Sequence, residues 1–183
     1  MTKKVYIIHG WGFDSNMPWI KWLETELGKK TNVEVHALDM PNTEHPKIEE
    51  WVNYLKENVK DINDETYFVG HSIGCQTIMR FLEKIPKNEH IRGCVFVAPW
   101  FDLINIGDEE LEIAHPWINN KINFERVEQH TGNILAIFSD NDRHVSDREV
   151  GKFRELGVKI IIKKGMGHFE DAEKIPEILE FIR

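Results

Sequence analysis

Three short stretches carry the side chains that could break a bond: Gly70-His71-Ser72-Ile73-Gly74, Ser139-Asp140-Asn141-Asp142 and Gly165-Met166-Gly167-His168-Phe169. A serine hydroxyl is a poor nucleophile at neutral pH. It needs a base to take its proton, and the base needs an acid to hold it in the working tautomer. The chain supplies serine, then acid, then histidine in that order: Ser72, then Asp142 or Asp140, then His168. This is the order expected where the serine sits on a sharp strand-to-helix turn. Gly70-x-Ser72-x-Gly74 has the form of such a turn, because a strand that reverses into a helix within a few residues leaves no room for Cβ atoms beside the apex. The apex itself is pushed toward positive φ.

Of the nine histidines, His168 is the expected base, since it comes late and its flanking glycines allow a sharp approach. His71 is expected to pack beneath the turn, because neighbours at a tight turn point apart. His9 is expected to brace a loop by hydrogen bonds. The other histidines show no metal-ligand spacing. The acid is read as Asp142, with Asp140 and Asp102 as alternatives, since Asp140 could cap its own turn and Asp102 could also reach the histidine. Negative charge on a tetrahedral intermediate needs two backbone N–H groups. They are expected from Ile73, the residue after the nucleophile, and from Trp11. Trp11, Trp100 and Phe169 are expected to line the substrate pocket.

These residues must be positioned by regular elements. Apolar runs at Val5–Ile8, Val33–Leu38, Tyr67–Val69, Cys94–Ala98, Ile134–Phe138 and Val158–Ile162 alternate with helix-period patterns. The first helix has Asn16 as its expected N-cap, Pro18 in its first turn and Gly28 as its stop. Later helices are expected from Ile48, after Ser72, and over Asp147–Leu156 and Ala172–Ile182. Strands that are nearly all apolar, alternating with helices, predict an α/β fold: a doubly wound parallel sheet of about six strands, covered on both faces. In such sheets ligands bind beyond the carboxyl ends of the strands. His9-Gly10-Trp11-Gly12, Ser72, Asp140-Asn141-Asp142 and Gly167-His168 all follow strands. Residues 99–130 fit least well, and one or two short helices over the site are expected there.

The 183 residues predict a single domain, 1–183. The net charge of −8 argues against a nucleic-acid or anionic-membrane partner. No secretory or membrane-spanning pattern is read, and cytoplasm is the expected compartment. Cys75 and Cys94 sit among apolar residues and read as buried thiols. Gly10-x-Gly12-x-x-Ser15 with Asp39 is a weak dinucleotide-like pattern with serine at its third position. It leaves Ser72, Asp142 and His168 unexplained, so no cofactor is expected.

Taken together, His9-Gly10-Trp11-Gly12, Met40-Pro41-Asn42 followed by Trp51, the Ser72 turn, Ala98-Pro99, Ser139-x-x-Asp142 and Gly167-His168-Phe169 give the chain a family likeness. It resembles the small serine hydrolases of the retinoblastoma-binding protein 9 type, also called YdeN-like, over nearly its whole length. The resemblance implies a compact α/β-hydrolase fold with no separate cap domain, and Asp142 rather than Asp140 as the acid; with the serine, histidine and acid above, the expectation is a cofactor-independent carboxylesterase acting on small acyl esters. Arg143 stands where that family usually has proline. The Leu-x-Cys-x-Glu motif associated with the namesake is missing from the sequence, so no retinoblastoma-type partner is expected. A binding module on a hydrolase fold is the alternative, because fold alone does not establish activity.

Overall fold

A computed structural model describes residues 2–182; Met1 and Arg183, the ends of the expected domain, lie outside the described residues. Six strands form one sheet: β1 (Lys3–Ile8), β2 (Val33–Leu38), β3 (Thr66–His71), β4 (Gly93–Val97), β5 (Ile134–Ser139) and β6 (Lys159–Lys163). Their order is β2-β1-β3-β4-β5-β6, and every pairing is parallel. Burial follows that order. Strands β3, β4 and β5 are buried throughout, whereas β2 and β6 at the edges are mostly half-exposed. An inner strand of a parallel sheet has both faces covered, which is why its sequence reads as one apolar run.

The chain leaves β1 for β2 on one side and returns to β3 on the other. This reversal opens a crevice at the carboxyl ends of β1 and β3. The pairing of Ile8 with Gly70 sets the loop after β1 beside the turn after β3.

Seven helices connect and cover the strands: α1 (Pro18–Gly28), α2 (Ile48–Asn58), α3 (Ile73–Leu82), α4 (Asp108–Asn119), α5 (Phe124–Glu128), α6 (Asp147–Glu155) and α7 (Pro176–Phe181). The first begins one residue later than expected, with Met17 as N-cap and no side-chain cap. Pro18 can occupy the first helical position because its missing N–H would have no partner there. The last helix starts at Pro176 rather than Ala172, since proline excludes the helical region for the residue before it. Residues 99–130 hold α4 and α5. Only the stretch before α4 and its first turn reach the site. The other end of α4 turns inward, where the Trp117 indole donates to Pro46 O at 3.0 Å.

Every residue of α3 is buried, including Gln76, Thr77 and Arg80. A buried guanidinium needs acceptors. Arg80 finds them in Gln76 Oε1 at 2.9 Å, Trp117 O at 2.8 Å and Asn120 O at 2.6 Å. The carbonyls at the end of α4 carry partial negative charge, so a cation there also suits the helix dipole. Among the described residues no helix is long and apolar enough to cross a membrane.

Candidate active site

Ser72 occupies the turn between β3 and α3 at φ 52° and ψ −119°. The glycines on either side are needed for space. A Cβ on Gly74 would lie 2.5 Å from Ile8 O and 2.6 Å from His9 O; one on Gly70 would lie 2.8 Å from both Cys75 N and Ile78 Cδ1. The turn therefore presses against the end of β1 and the residue after it, and the hydroxyl is held at the carboxyl end of β3.

Ser72 Oγ lies 2.9 Å from His168 Nε2, and His168 Nδ1 lies 2.8 Å from Asp142 Oδ2. The other carboxylate oxygen of Asp142 accepts the His144 and Val145 N–H groups at 2.9 and 3.1 Å. Burial pushes the Asp142 carboxyl up. The hydrogen bond and charge of His168, with the two amides, outweigh it and hold the group below the ordinary carboxylate value. Asp142 is thus an anion, acceptor-only, and its partner Nδ1 carries the proton.

The loop bearing His168 is fastened to the loop bearing Asp142. Asp140 Oδ1 accepts Gly165 N–H at 2.8 Å, Ser139 Oγ accepts Met166 N–H at 2.9 Å, and Asn141 Oδ1 accepts Gly167 N–H at 2.8 Å. Asp140 is therefore spent on holding a loop 25 residues further along the chain, and not on its own turn. Asp102 is exposed and accepts Leu103 N–H at 3.0 Å. The structure does not bring it to His168.

His71 is wholly buried, and its Nε2–H donates to the backbone carbonyl of His168 at 2.7 Å. Burial first, and the neighbouring His168 ring second, push its pKa down to about 3. It therefore stays neutral beneath the turn. His9 ties two loops: Nδ1–H donates to Gly10 O at 2.8 Å, and Nε2 accepts Met40 N–H at 2.9 Å. Asp39, the acid of the dinucleotide-like pattern, accepts Ser15 N–H at 2.8 Å. Both cysteines are buried, and burial raises their thiol pKa values.

A cleft of about 250 Å³ opens over Ser72 and His168. Trp11 lines it, with its indole N–H anchored on Glu44 O at 2.9 Å. Trp100 and Phe169 do not line it, contrary to the sequence expectation, because both are fully buried. Positive φ at Phe169, 62°, turns that residue at the end of its loop, and its ring joins the core. Trp100 lies behind Ser72, and its indole N–H donates to Ser72 Oγ at 3.1 Å. The apolar lining comes instead from Phe13, Leu103 and Ile106, and three carboxylates, Glu44, Glu110 and Glu170, stand around it. Leu103 and Ile106 lie in the stretch whose placement was least legible. Sequence reasoning also missed the clamp made by Ser139 and Asn141, whose residue types are those of any polar turn.

Of the two residues expected to supply backbone donors for an oxyanion, Trp11 lines this cleft, and Ile73, which follows Ser72, is wholly buried. Ile73 is the first residue of α3, so its N–H has no carbonyl within the helix. In the loop after β1, Gly12 N–H goes to Thr43 O at 2.9 Å and Phe13 N–H to Gly10 O at 3.4 Å. The Trp11 N–H has no such partner among the described residues. No group of three or more His, Cys, Asp or Glu residues comes together among the described residues in a way that could hold a metal.

The fold and sequence have known counterparts. YdeN of Bacillus subtilis (strain 168), a protein named as a hydrolase, is 38% identical over 98 residues. That match covers 54% of this chain and 51% of YdeN, about half the length of the curated relative. The crystal structure of the B. subtilis ydeN gene product superposes with a TM-score of 0.88 at 25% identity, covering 98% of this chain and 96% of that one. A monoacylglycerol lipase from Paleococcus ferrophilus follows at 0.73 and 19% identity, covering 99% and 95% of the two chains. The carboxylesterase CesB (YbfK) of B. subtilis gives 0.60 and 14%, covering 97% and 81%. The last two show a shared fold, the α/β-hydrolase sheet. The family model described as "Serine hydrolase" matches residues 5–178, nearly the whole chain and all three stretches that hold Ser72, Asp142 and His168, and the chain belongs to that family.

Proposed function

We propose that this serine-hydrolase-family protein is a carboxylesterase that cleaves small acyl esters through Ser72, His168 and Asp142. The observation that carries the reading is the unbroken hydrogen-bond series from Ser72 Oγ through His168 to Asp142 at the floor of an open cleft. The Ser72 hydroxyl donates to His168 Nε2. As Oγ attacks the ester carbon, the proton passes to Nε2, and Asp142 stabilises the imidazolium. The carbonyl oxygen takes up negative charge facing the Ile73 and Trp11 N–H groups. His168 then protonates the leaving alcohol, and an acyl group remains on Ser72. Water, deprotonated by His168, releases the acid. The cleft is small and partly apolar, which suits short acyl chains.

The test is hydrolysis of short-chain p-nitrophenyl esters by the purified protein and by Ser72→Ala. Loss of the nucleophile is expected to cost about 10⁴-fold or more in rate. A fluorophosphonate probe is expected to label the wild type at Ser72. Turnover of Ser72→Ala near the wild-type rate, or a wild type that neither turns over nor labels, would overturn the reading. A panel of esters and thioesters of graded acyl length then orders the substrates.

A further inference from the structure

The indole of Trp100 can only donate a hydrogen bond, and it donates to the oxygen that the proposed mechanism uses as nucleophile, at 3.1 Å. Ser72 Oγ has one proton and two lone pairs. Trp100 occupies one lone pair. Because the ionised Asp142 holds the proton of His168 on Nδ1, Nε2 is a bare acceptor at 2.9 Å, and the hydroxyl proton points to it. One lone pair is left, free for the substrate carbon.

The ring is held from both sides of its backbone. Trp100 O accepts Gln76 Nε2–H at 3.1 Å, and Gln76 Oε1 in turn accepts from Arg80 at 2.9 Å. The next amide, Phe101 N–H, is bound by the buried Glu149 carboxylate at 2.6 Å. A buried indole N–H is satisfied in most proteins by an acceptor. Here a wholly buried one takes the nucleophile as its acceptor, so the donor sits where charge develops, with no water to compete.

Resting on the Ser72 mechanism above, we infer that Trp100 is a catalytic residue whose N–H fixes the Ser72 hydroxyl on the line to His168 and stabilises Oγ as its proton leaves. In acylation the O–H bond breaks, Nε2 gains the proton, and the O–H electron pair stays on Oγ as it attacks. In deacylation the acyl–Oγ bond breaks, its electron pair returns to Oγ, and His168 gives the proton back. The same N–H serves the oxygen in both directions.

The experiment compares wild type, Trp100→Phe, and a semisynthetic or genetically recoded protein with benzothienylalanine at position 100. The last keeps the shape of tryptophan and lacks only the N–H. Fluorophosphonate labelling rate and kcat are expected to fall together by about 2- to 12-fold, the value of one ordinary hydrogen bond. KM is expected to hold, because the buried ring touches no substrate. A second readout needs no change at Trp100: its indole N–H proton resonance in the folded wild type is expected to move upfield in Ser72→Ala, where the acceptor is gone. A labelling rate and kcat equal to wild type in the benzothienylalanine protein would overturn the inference, as would an indole resonance that ignores Ser72→Ala. A wild type that does not label at all counts instead against the esterase reading.

Discussion

Ser72 holds a backbone conformation, φ 52° and ψ −119°, that suits glycine and strains any residue with a Cβ. The strain is stored where the hydroxyl is displayed. Two variants that both lack the hydroxyl separate strain from chemistry. Ser72→Gly is expected to be more stable than Ser72→Ala by about 1–2 kcal/mol in urea unfolding, the reverse of the usual order of the two residues. A less stable glycine variant would mean that the turn stores no strain. The acid can be tested at the same scale. Asp142→Asn is expected to cost on the order of 10⁴-fold in kcat, since the amide leaves His168 in the wrong tautomer. Asp140→Asn keeps an oxygen for Gly165 N–H and is expected to stay within about threefold of wild type, as a lost surface charge usually does. A dead Asp140→Asn enzyme would move the acid two residues earlier in the same loop. Ser72 and His168 were legible because glycines announce unusual backbone. Trp100 was legible as an aromatic near the site, but nothing in a sequence says whether a ring faces a cleft or an oxygen.

The strands were legible as elements because burial on both faces leaves an apolar run, and the structure places all six within a few residues of those runs. The helix over Asp108–Asn119 was legible only as one or two short helices somewhere in 99–130, without its bounds. It is rich in acids, carries Pro116 inside, and owes its place to contacts distant in sequence, such as Trp117 with Pro46 and Arg80 with its last carbonyls. Strand β3 carries a further consequence at its end. His71 has a pKa of about 3 in the folded protein, below the 6.5 of an ordinary histidine. Between those values the unfolded chain binds a proton that the folded one refuses, so stability is full above about pH 6.5 and falls as pH drops toward 3, by up to about 1.4 kcal/mol per pH unit. His71→Gln keeps a donor for His168 O and removes the titration. Its stability, measured by urea unfolding from about pH 6 to pH 4, is expected to fall less steeply than wild type by roughly that slope. Parallel curves would show that His71 is protonated in the fold. Similarly, Gly74→Ala must force a Cβ against the carbonyls of Ile8 and His9. It is expected to lose about 3 kcal/mol or more of stability, read as a lower urea midpoint, and activity with it. A variant as stable as wild type would show that the turn can move off the strand.

At the scale of the whole molecule, the reversal of strand order between β1 and β3 decides where a substrate can enter, and the loops that meet there give the cleft its charge. The chain as a whole carries −8, and Glu44, Glu110 and Glu170 stand exposed around the cleft. In the proposed ester hydrolysis, neutral ester and neutral alcohol would pass such a rim without electrostatic cost. The other product is different, because at neutral pH a carboxylic acid is released as an anion. It leaves a site whose potential repels it, and its return is opposed until salt screens the rim. On that reading the cleft would work as a one-way passage for charge: hydrolysis itself converts an accepted guest into a rejected one. At low ionic strength the free acid added to an assay is expected to leave the initial rate unchanged. Glu44→Gln combined with Glu170→Gln is expected to make the enzyme sensitive to that acid. Inhibition of the wild type equal to that of the double variant would show the rim too distant to act. If the rim does act, turnover in a cell that accumulates the acid would be throttled by substrate supply and not by its own product.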